Sequence, residues 1–377
     1  MKVTIFAVAL LLQAPAVMPL ARVHTALRHL SDGFDQHKIT YGATPELTDA
    51  KRQLRDWIES RMSSLGRDGD TRAFADALHE ALRSAGLLCD DCDTNVLGYL
   101  DDVRVDRSGG FLVVVTATGI SCGYDESAYV YAWDGGWRRV WAHEQDDYAP
   151  NVYRPQAIHD LQISAPDAQG TRVLMELASQ TICGGAFKNL YARAWRLAPD
   201  NRSTRVLDFT AYADDGYPPL LGRVRPGDVL FEYTTDGLAS GDPHTAVRHF
   251  TIERGAAVQV DPIAIRPHDF VLEWLDAPWA DSRLRSASPA LAGAHARLQR
   301  TDHAGDFADP TLRCADGDHE WQVGTRLYQG PKRYYRVRWR APFSFTLVAV
   351  SEQPFADCTF PDRRGDAYAD VLTADLR

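Results

Sequence analysis

The chain has 377 residues, with 41 Lys and Arg against 51 Asp and Glu, a formal net charge of −10 at pH 7, and 45% hydrophobic residues. That length supports a large core, in one big all-β domain or two smaller domains, and the acidic balance argues against a nucleic-acid surface, which needs a basic face. No internal apolar run is long enough to span a membrane.

Taken in order, the chain opens with Lys2, the apolar run Val3 to Leu12, and then Ala14-Pro15-Ala16 and Pro19-Leu20-Ala21. This charged, apolar, small-residue order predicts a signal peptide over 1–21, cut after Ala16 or Ala21, and a secreted or periplasmic protein. Residues from there to about Ala43 carry few structural signals. Thr44-Pro45 then opens a helix with Leu47, Leu54, Trp57, Ile58 and Leu65 on one face, ended by Gly66. A second helix, capped by Asp70 and striped by Phe74, Ala77, Leu78, Ala81 and Leu82, closes at Gly86. The segment 22–96 is thus expected to hold a helical hairpin.

From Leu97 the period changes to two, and the segment 97–360 reads as strands in groups of four. The first group is expected near Gly98–Asp106, Phe111–Thr118, Ser127–Trp133 and Trp137–His143. The second is Ala157–Ala165, Arg172–Gln180, Asn189–Leu197 and Thr204–Tyr212, and the third Leu220–Arg225, Val229–Thr235, Thr245–Glu253 and Ala256–Ile265. Ile120-Ser121-Cys122-Gly123 is echoed by Ile182-Cys183-Gly184, and Tyr129 to Trp133 by Tyr191 to Trp195. A helical insertion near 267–300 carries Phe270, Leu272, Trp274, Leu275 and Trp279. Strands return at Glu320–Tyr328, Arg333–Arg340 and Phe343–Ser351, before a polar tail, 361–377, expected to be flexible. A further unit could lie within Arg283–Asp318. The predicted fold class is mainly β: repeated four-stranded antiparallel units, propeller-like, with a two-sheet sandwich as the alternative.

Six cysteines in a chain expected to be exported predict disulfides. Cys122 and Cys183 occupy equivalent places in the repeat and are expected to pair. Cys314 with Cys358 and Cys89 with Cys92 follow by elimination. Asp90 and Asp91 should raise the thiol pKa of the Cys89/Cys92 pair, against a redox role, and no second pair completes a zinc site.

The chemistry is less legible. There is no GxSxG elbow, Walker loop, GxGxxG or complete HExxH. The candidate site comes from connection lengths instead. Turns such as Ser108-Gly109-Gly110 and Asp134-Gly135-Gly136 are short, whereas the connections at the opposite ends of the strands are long. Those carry Tyr124, Asp125, Glu126, Asp146, Asp147, Tyr148, Asp214, Asp215, Tyr217, Asp242 and His244. Carboxylates interleaved with tyrosines suit a cationic partner, a sugar stacked on a ring, or a calcium ion; solvated turn residues are the alternative. Beyond calcium no cofactor is expected. The Asp316-Gly-Asp318-His-Glu320 run lacks the glycine and distal glutamate of a calcium loop.

The tracts SCGYDESAYVYAW, YRPQAIHDLQIS, RPHDFVLEWLDAPW and WQVG resemble those of a family of secreted bacterial proteins with no assigned activity. The resemblance spans most of Leu100 to Cys358 and implies no catalytic residues. Two functions stay open: an exported non-catalytic binding or scaffold protein whose acidic, tyrosine-rich loop face takes a glycan, peptide or protein ligand, and an exported hydrolase using Asp, Glu and His from several loops.

Overall fold

A computed structural model describes residues 19–33, 45–88, 99–120, 123–145, 156–181, 187–214, 216, 220–235, 243–299, 305–315, 319–327, 331–340, 343–361 and 372. The fold is mainly β, built from antiparallel sheets, and the chain divides into two compact units, Met1–Pro155 and Gln156–Arg377. Among the described residues no helix is long and apolar enough to cross a membrane.

Among its described residues the first unit holds three α-helices, α1 (Leu20–Gly33), α2 (Pro45–Arg61) and α3 (Thr71–Ser84), and four strands, β1 (Leu100–Ser108), β2 (Phe111–Ile120), β3 (Gly123–Trp133) and β4 (Trp137–His143). Helix α1 lies where the sequence offers few signals. Its buried stripe, Val23, Ala26 and Leu27, is one turn long and follows directly on the apolar leader, so no periodic pattern marks it. Asp70 caps α3, its carboxylate accepting from the Arg72 and Ala73 amides at 2.9 and 3.1 Å. Strands β1 to β4 pair in chain order. Gly109 and Gly110 close the first hairpin with φ of 58° and 87°, a left-handed conformation that a side chain would oppose.

Helix α2 lies against the alternate residues of β3. Trp57 and Ile58 of α2 are fully buried, and polar partners link this segment to the sheet: Tyr131 donates to Glu59 at 3.1 Å, and Trp137 Nε1 to the Leu65 carbonyl at 2.8 Å. An extended strand places every second side chain on the helix side, so Asp125, Ser127, Tyr129 and Tyr131 share that face.

The described strands of the second unit fall into three groups. Strands β5 (Gln156–Ile163), β6 (Arg172–Thr181), β7 (Phe187–Leu197) and β8 (Ser203–Asp214) form a meander. A second meander is β9 (Leu221–Arg225), β10 (Asp228–Thr235), β11 (His244–Glu253) and β12 (Ala256–Val260). The two share a core of Met175, Leu177, Leu190, Phe231, Tyr233 and Phe250, on which Phe209 packs. Gly222 permits the close approach: a Cβ there would fall 2.7 Å from both Leu177 and Met175. Strand β12 stops at Val260 rather than Ile265, because Pro262 has no N–H to donate to the ladder; only an isolated bridge, Ala246 to Ala264, resumes it.

Helices α4 (Pro267–Asp276), α5 (Trp279–Ser282) and α6 (Ala292–Gln299) form the expected insertion. The third sheet contains β13 (Gly305–Cys314), β14 (Glu320–Leu327), β15 (Lys332–Arg340), β16 (Ser344–Ser351) and β17 (Cys358–Pro361), in the order β16-β15-β14-β13-β17. Phe270, Val271 and Trp274 of α4 pack on Val323, Tyr335, Val337 and Leu347 of this sheet. The tail differs from a free polar end at one point. Leu372 joins a cluster with Leu230, Val247 and Phe343, and Arg223 donates to its carbonyl.

Cys314 and Cys358 face one another across β13 and β17 and form a disulfide over a separation of 44 residues. Cys89, Cys92, Cys122 and Cys183 lie outside the described residues. In the chain-entropy model a loop closed over 44 residues contributes about 4 kcal/mol. We expect Cys358→Ser to lose that amount in urea unfolding under oxidising conditions, and to match the unsubstituted chain once both are reduced.

Candidate functional site

The sequence-derived residues fall into three groups. Asp146, Asp147, Tyr148, Asp215, Tyr217 and Asp242 lie outside the described residues, and of Asp214 only the backbone, at the end of β8, is described. Tyr124, Asp125 and Glu126 belong to β3 rather than to a loop. His244, the first residue of β11, is buried.

Within the first unit, Asp125 is fully buried and Lys51 of α2 is almost so, with the ammonium nitrogen 2.7 Å from Asp125 Oδ1. Lys51 also donates to the Gln145 carbonyl at 2.9 Å. Burial pushes the Asp125 carboxyl up to about 6, against the pull of Lys51. Beside it, Glu144 accepts from Arg55 at 2.5 Å and from the buried Tyr129 hydroxyl at 2.9 Å. Glu126 pairs with Arg104 at 2.8 Å, and Tyr124 hydrogen-bonds with Asp101. These groups are engaged with one another, so Asp125 is a charge inside the fold and not part of an open acidic face.

The second unit holds a pocket of about 830 Å³. It folds around β8, which ends its meander and draws on both of that strand's faces. Phe187 and Tyr212, from β7 and β8, stack with centroids 5.1 Å apart and planes 23° from parallel. They are 41% and 47% exposed, unusual for large rings, and form a shelf at the mouth. Phe209 and Tyr233 line the interior. Phe187 opens β7, and Tyr212 and Thr235 stand near the ends of β8 and β10, so the lining draws on strand ends that carry long connections.

Charge on the floor comes from β11 and α4. Arg248 Nη1 lies 2.6 Å from Glu273 Oε2, and His244 Nε2 lies 3.0 Å from Oε1 of the same carboxylate. The Arg248 guanidinium also sits over the Tyr233 and Phe209 rings, at 5.4 and 5.6 Å. Burial alone would raise the Glu273 carboxyl, but Arg248 and His244 outweigh it and hold it below the ordinary carboxylate range. Asp276, Asp281 and Arg285 complete the charged lining, and Arg285 is tied to Asp261 at 3.0 Å. An apolar, aromatic cavity with a few convergent polar groups is the usual build of a small-molecule site.

Sequence reasoning reached His244 but not Phe187, Tyr212, Arg248 or Glu273. One signal was available: Glu273 interrupts the apolar run Phe270 to Leu275, and a carboxylate there needs a buried partner. Among the described residues, the metal-compact grouping is Cys314, Asp357 and Cys358, whose two sulfurs are already joined to each other. Glu320, from the candidate calcium run, is held by Arg336 and Arg338 at 2.5 and 2.7 Å.

No family model matches the chain, and no curated protein matches it. Among solved structures, a thermostable family-43 glycoside hydrolase is similar over 72% of this chain and 83% of its own, at 11% identity and a TM-score of 0.24. An endo-1,4-β-xylanase from Bacteroides thetaiotaomicron covers 67% and 76%, at 8% identity and a TM-score of 0.22. An α-L-arabinofuranosidase from Podospora anserina, in complex with cellotriose, covers 69% and 92%, at 13% and 0.17. At such TM-scores the likeness carries no argument about this chain's activity.

The Lys51–Asp125 pair has a measurable signature. The folded carboxyl, at about 6, lies above its ordinary 3.8, so its contribution to stability is greatest below the unfolded range and is lost as pH rises through about 6. Removing Lys51 strands the carboxylate. We expect Lys51→Met to cost about 3–5 kcal/mol at pH 8. At pH 5 the deficit should be smaller, since the carboxyl is then protonated. Urea unfolding at both pH values checks this, and equal deficits would rule out the buried charge as the cause.

Proposed function

We propose that this chain is an exported carbohydrate-binding protein and that the pocket around β8 takes the saccharide. The observation that carries the reading is the exposed, stacked Phe187–Tyr212 shelf beside a cavity lined by polar groups. A sugar ring has one face of C–H bonds, which packs on an aromatic ring, and a rim of hydroxyls that need donors and acceptors. Asn189, Thr210 and Gln259 in the lining offer both. The four-stranded meanders are the kind of sheet that serves as a blade, and a propeller is our reading of the fold class.

Hydrolysis is the second reading, favoured by the three carboxylates of the lining, Glu273, Asp276 and Asp281. Glu273 is a poor general acid there, because Arg248 and His244 keep it ionised. The acid would have to be Asp276 or Asp281.

Export belongs to the same reading, and α1 bears on where the leader is cut. The helix starts at Leu20 and buries Val23, Ala26 and Leu27. A cut after Ala16 leaves it whole, whereas a cut after Ala21 removes its first two residues. We therefore expect the N-terminal mass of exported protein to correspond to Val17.

Calorimetry against xylan, cellulose and chitin oligomers tests the binding. A bound oligomer should lose about tenfold in affinity in the Phe187→Ala, Tyr212→Ala double variant, from ring contacts on the order of 1–2 kcal/mol. The melting temperature should hardly change, both rings being exposed. Unaltered affinity would move the site elsewhere. Reducing ends released by the unsubstituted chain but not by Asp281→Asn would favour the hydrolase.

A further inference from the structure

We infer that Lys51 and Asp125 join covalently, the lysine side-chain nitrogen forming an amide with the Asp125 carboxyl carbon as a water leaves. Their placement carries the inference. Lys51 Nζ lies 2.7 Å from Asp125 Oδ1, and the two side chains are 3% and 0% exposed. The Gln145 main-chain carbonyl accepts from the same nitrogen at 2.9 Å and so fixes it from a second direction. Leu47, Ala50 and Leu54 are buried around the lysine on α2, and Ser127, Tyr129 and Tyr131 continue the buried face of β3 beyond the aspartate. Neither Asp125 oxygen accepts a hydrogen bond of regular geometry among the described residues, and the Gln145 side-chain amide is likewise buried without one. A buried ion pair that is to remain one needs its other lone pairs satisfied by hydrogen bonds. This carboxyl group is held against a lysine and left short of them.

The step balances without a co-reactant. A proton passes from the ammonium to the carboxylate across the contact, giving a neutral amine and a carboxylic acid. A dry site favours that exchange because it removes two buried charges. Burial does push the Asp125 carboxyl up, to about 6, against the pull of Lys51. The nitrogen lone pair then attacks Cγ and the C–N bond forms. The bond from Cγ to one carboxyl oxygen breaks with its electron pair on that oxygen, which leaves as water with the proton it gained and one from the nitrogen. In free solution the charged pair is the more stable form and the amide does not accumulate. Well-oriented groups held in contact react with an effective concentration on the order of 10⁵–10⁸ M, which favours condensation. The product ties α2 to β3 through a neutral amide. The greater cost expected of Lys51→Met at pH 8 stands in either form, because the stranded carboxylate belongs to that variant.

Mass spectrometry of the full chain, purified folded and then denatured and reduced, tests this. The intact mass should fall below the mass of the same sequence by one water. Trypsin should leave Lys51 uncut and joined to the peptide that holds Asp125, since an acylated lysine is no longer a cleavage site. Lys51→Arg keeps the positive charge, but a guanidinium is a far weaker nucleophile than an amine. That variant should show its full mass and no joined peptide. A full mass for the unsubstituted folded chain would overturn the inference, and this reading does not depend on any variant folding. A missing water mapped to another residue, such as a cyclised Asp134-Gly135, would overturn it too, as would a missing water that persisted in Lys51→Arg.

Discussion

The contact on which the second unit's pocket depends is the one between Arg248 and Glu273. It ties strand β11, in the middle of a sheet, to helix α4, which is packed on another sheet by Phe270, Val271 and Trp274. Both side chains are largely buried, so neither charge could stay there alone; an unpaired buried ion costs several kcal/mol. His244 takes the second carboxylate oxygen, and the aromatic faces of Tyr233 and Phe209 cover the guanidinium. The carboxylate is therefore satisfied from two sides and the cation from three. Polar groups held this way add specificity of placement more than stability. They fix which turn of α4 sits over which residue of β11, and thereby set the pocket floor.

The first unit uses the same device to a different end. Lys51, Arg55 and Glu59 recur at every fourth residue of α2, so they stand on one side of that helix. Their partners, Asp125, Glu144 and Tyr131, belong to β3 and the end of β4. A wholly apolar contact would allow the helix to slide along the strand. A row of matched charges and hydroxyls makes a shifted alignment leave buried polar groups without partners, and that selects one register.

Strands and helix ends were readable because their signals are local. The alternation in Ser127–Trp133, the Gly109-Gly110 turn and the Asp70 cap each act within a few residues, and each stands where the sequence puts it. Strand β13 was not readable. Pro310 and the acidic residues Asp306 and Asp309 break its alternation, and its pairing with β14 shifts register twice. The site was only partly legible for a related reason. Tyr124, Asp125 and Glu126 look like loop residues by composition, but Asp125 is paid for by a lysine 74 positions earlier, which no local pattern announces. Phe187, Tyr212, Arg248 and Glu273 converge from three strands and a helix, and each reads singly as an ordinary strand or helix residue.

The docking of Leu372 gives the end of the chain a structural duty. Its side chain fills a place among Leu230, Val247 and Phe343, and Arg223 grips its carbonyl. Leu372 is thus a plug for that cluster. A recombinant chain stopped just ahead of Leu372 would present an apolar hollow to solvent, and such surfaces recruit other molecules. Two preparations differing only in their last few residues would then differ in stickiness and in apparent oligomeric state, with no change at the pocket.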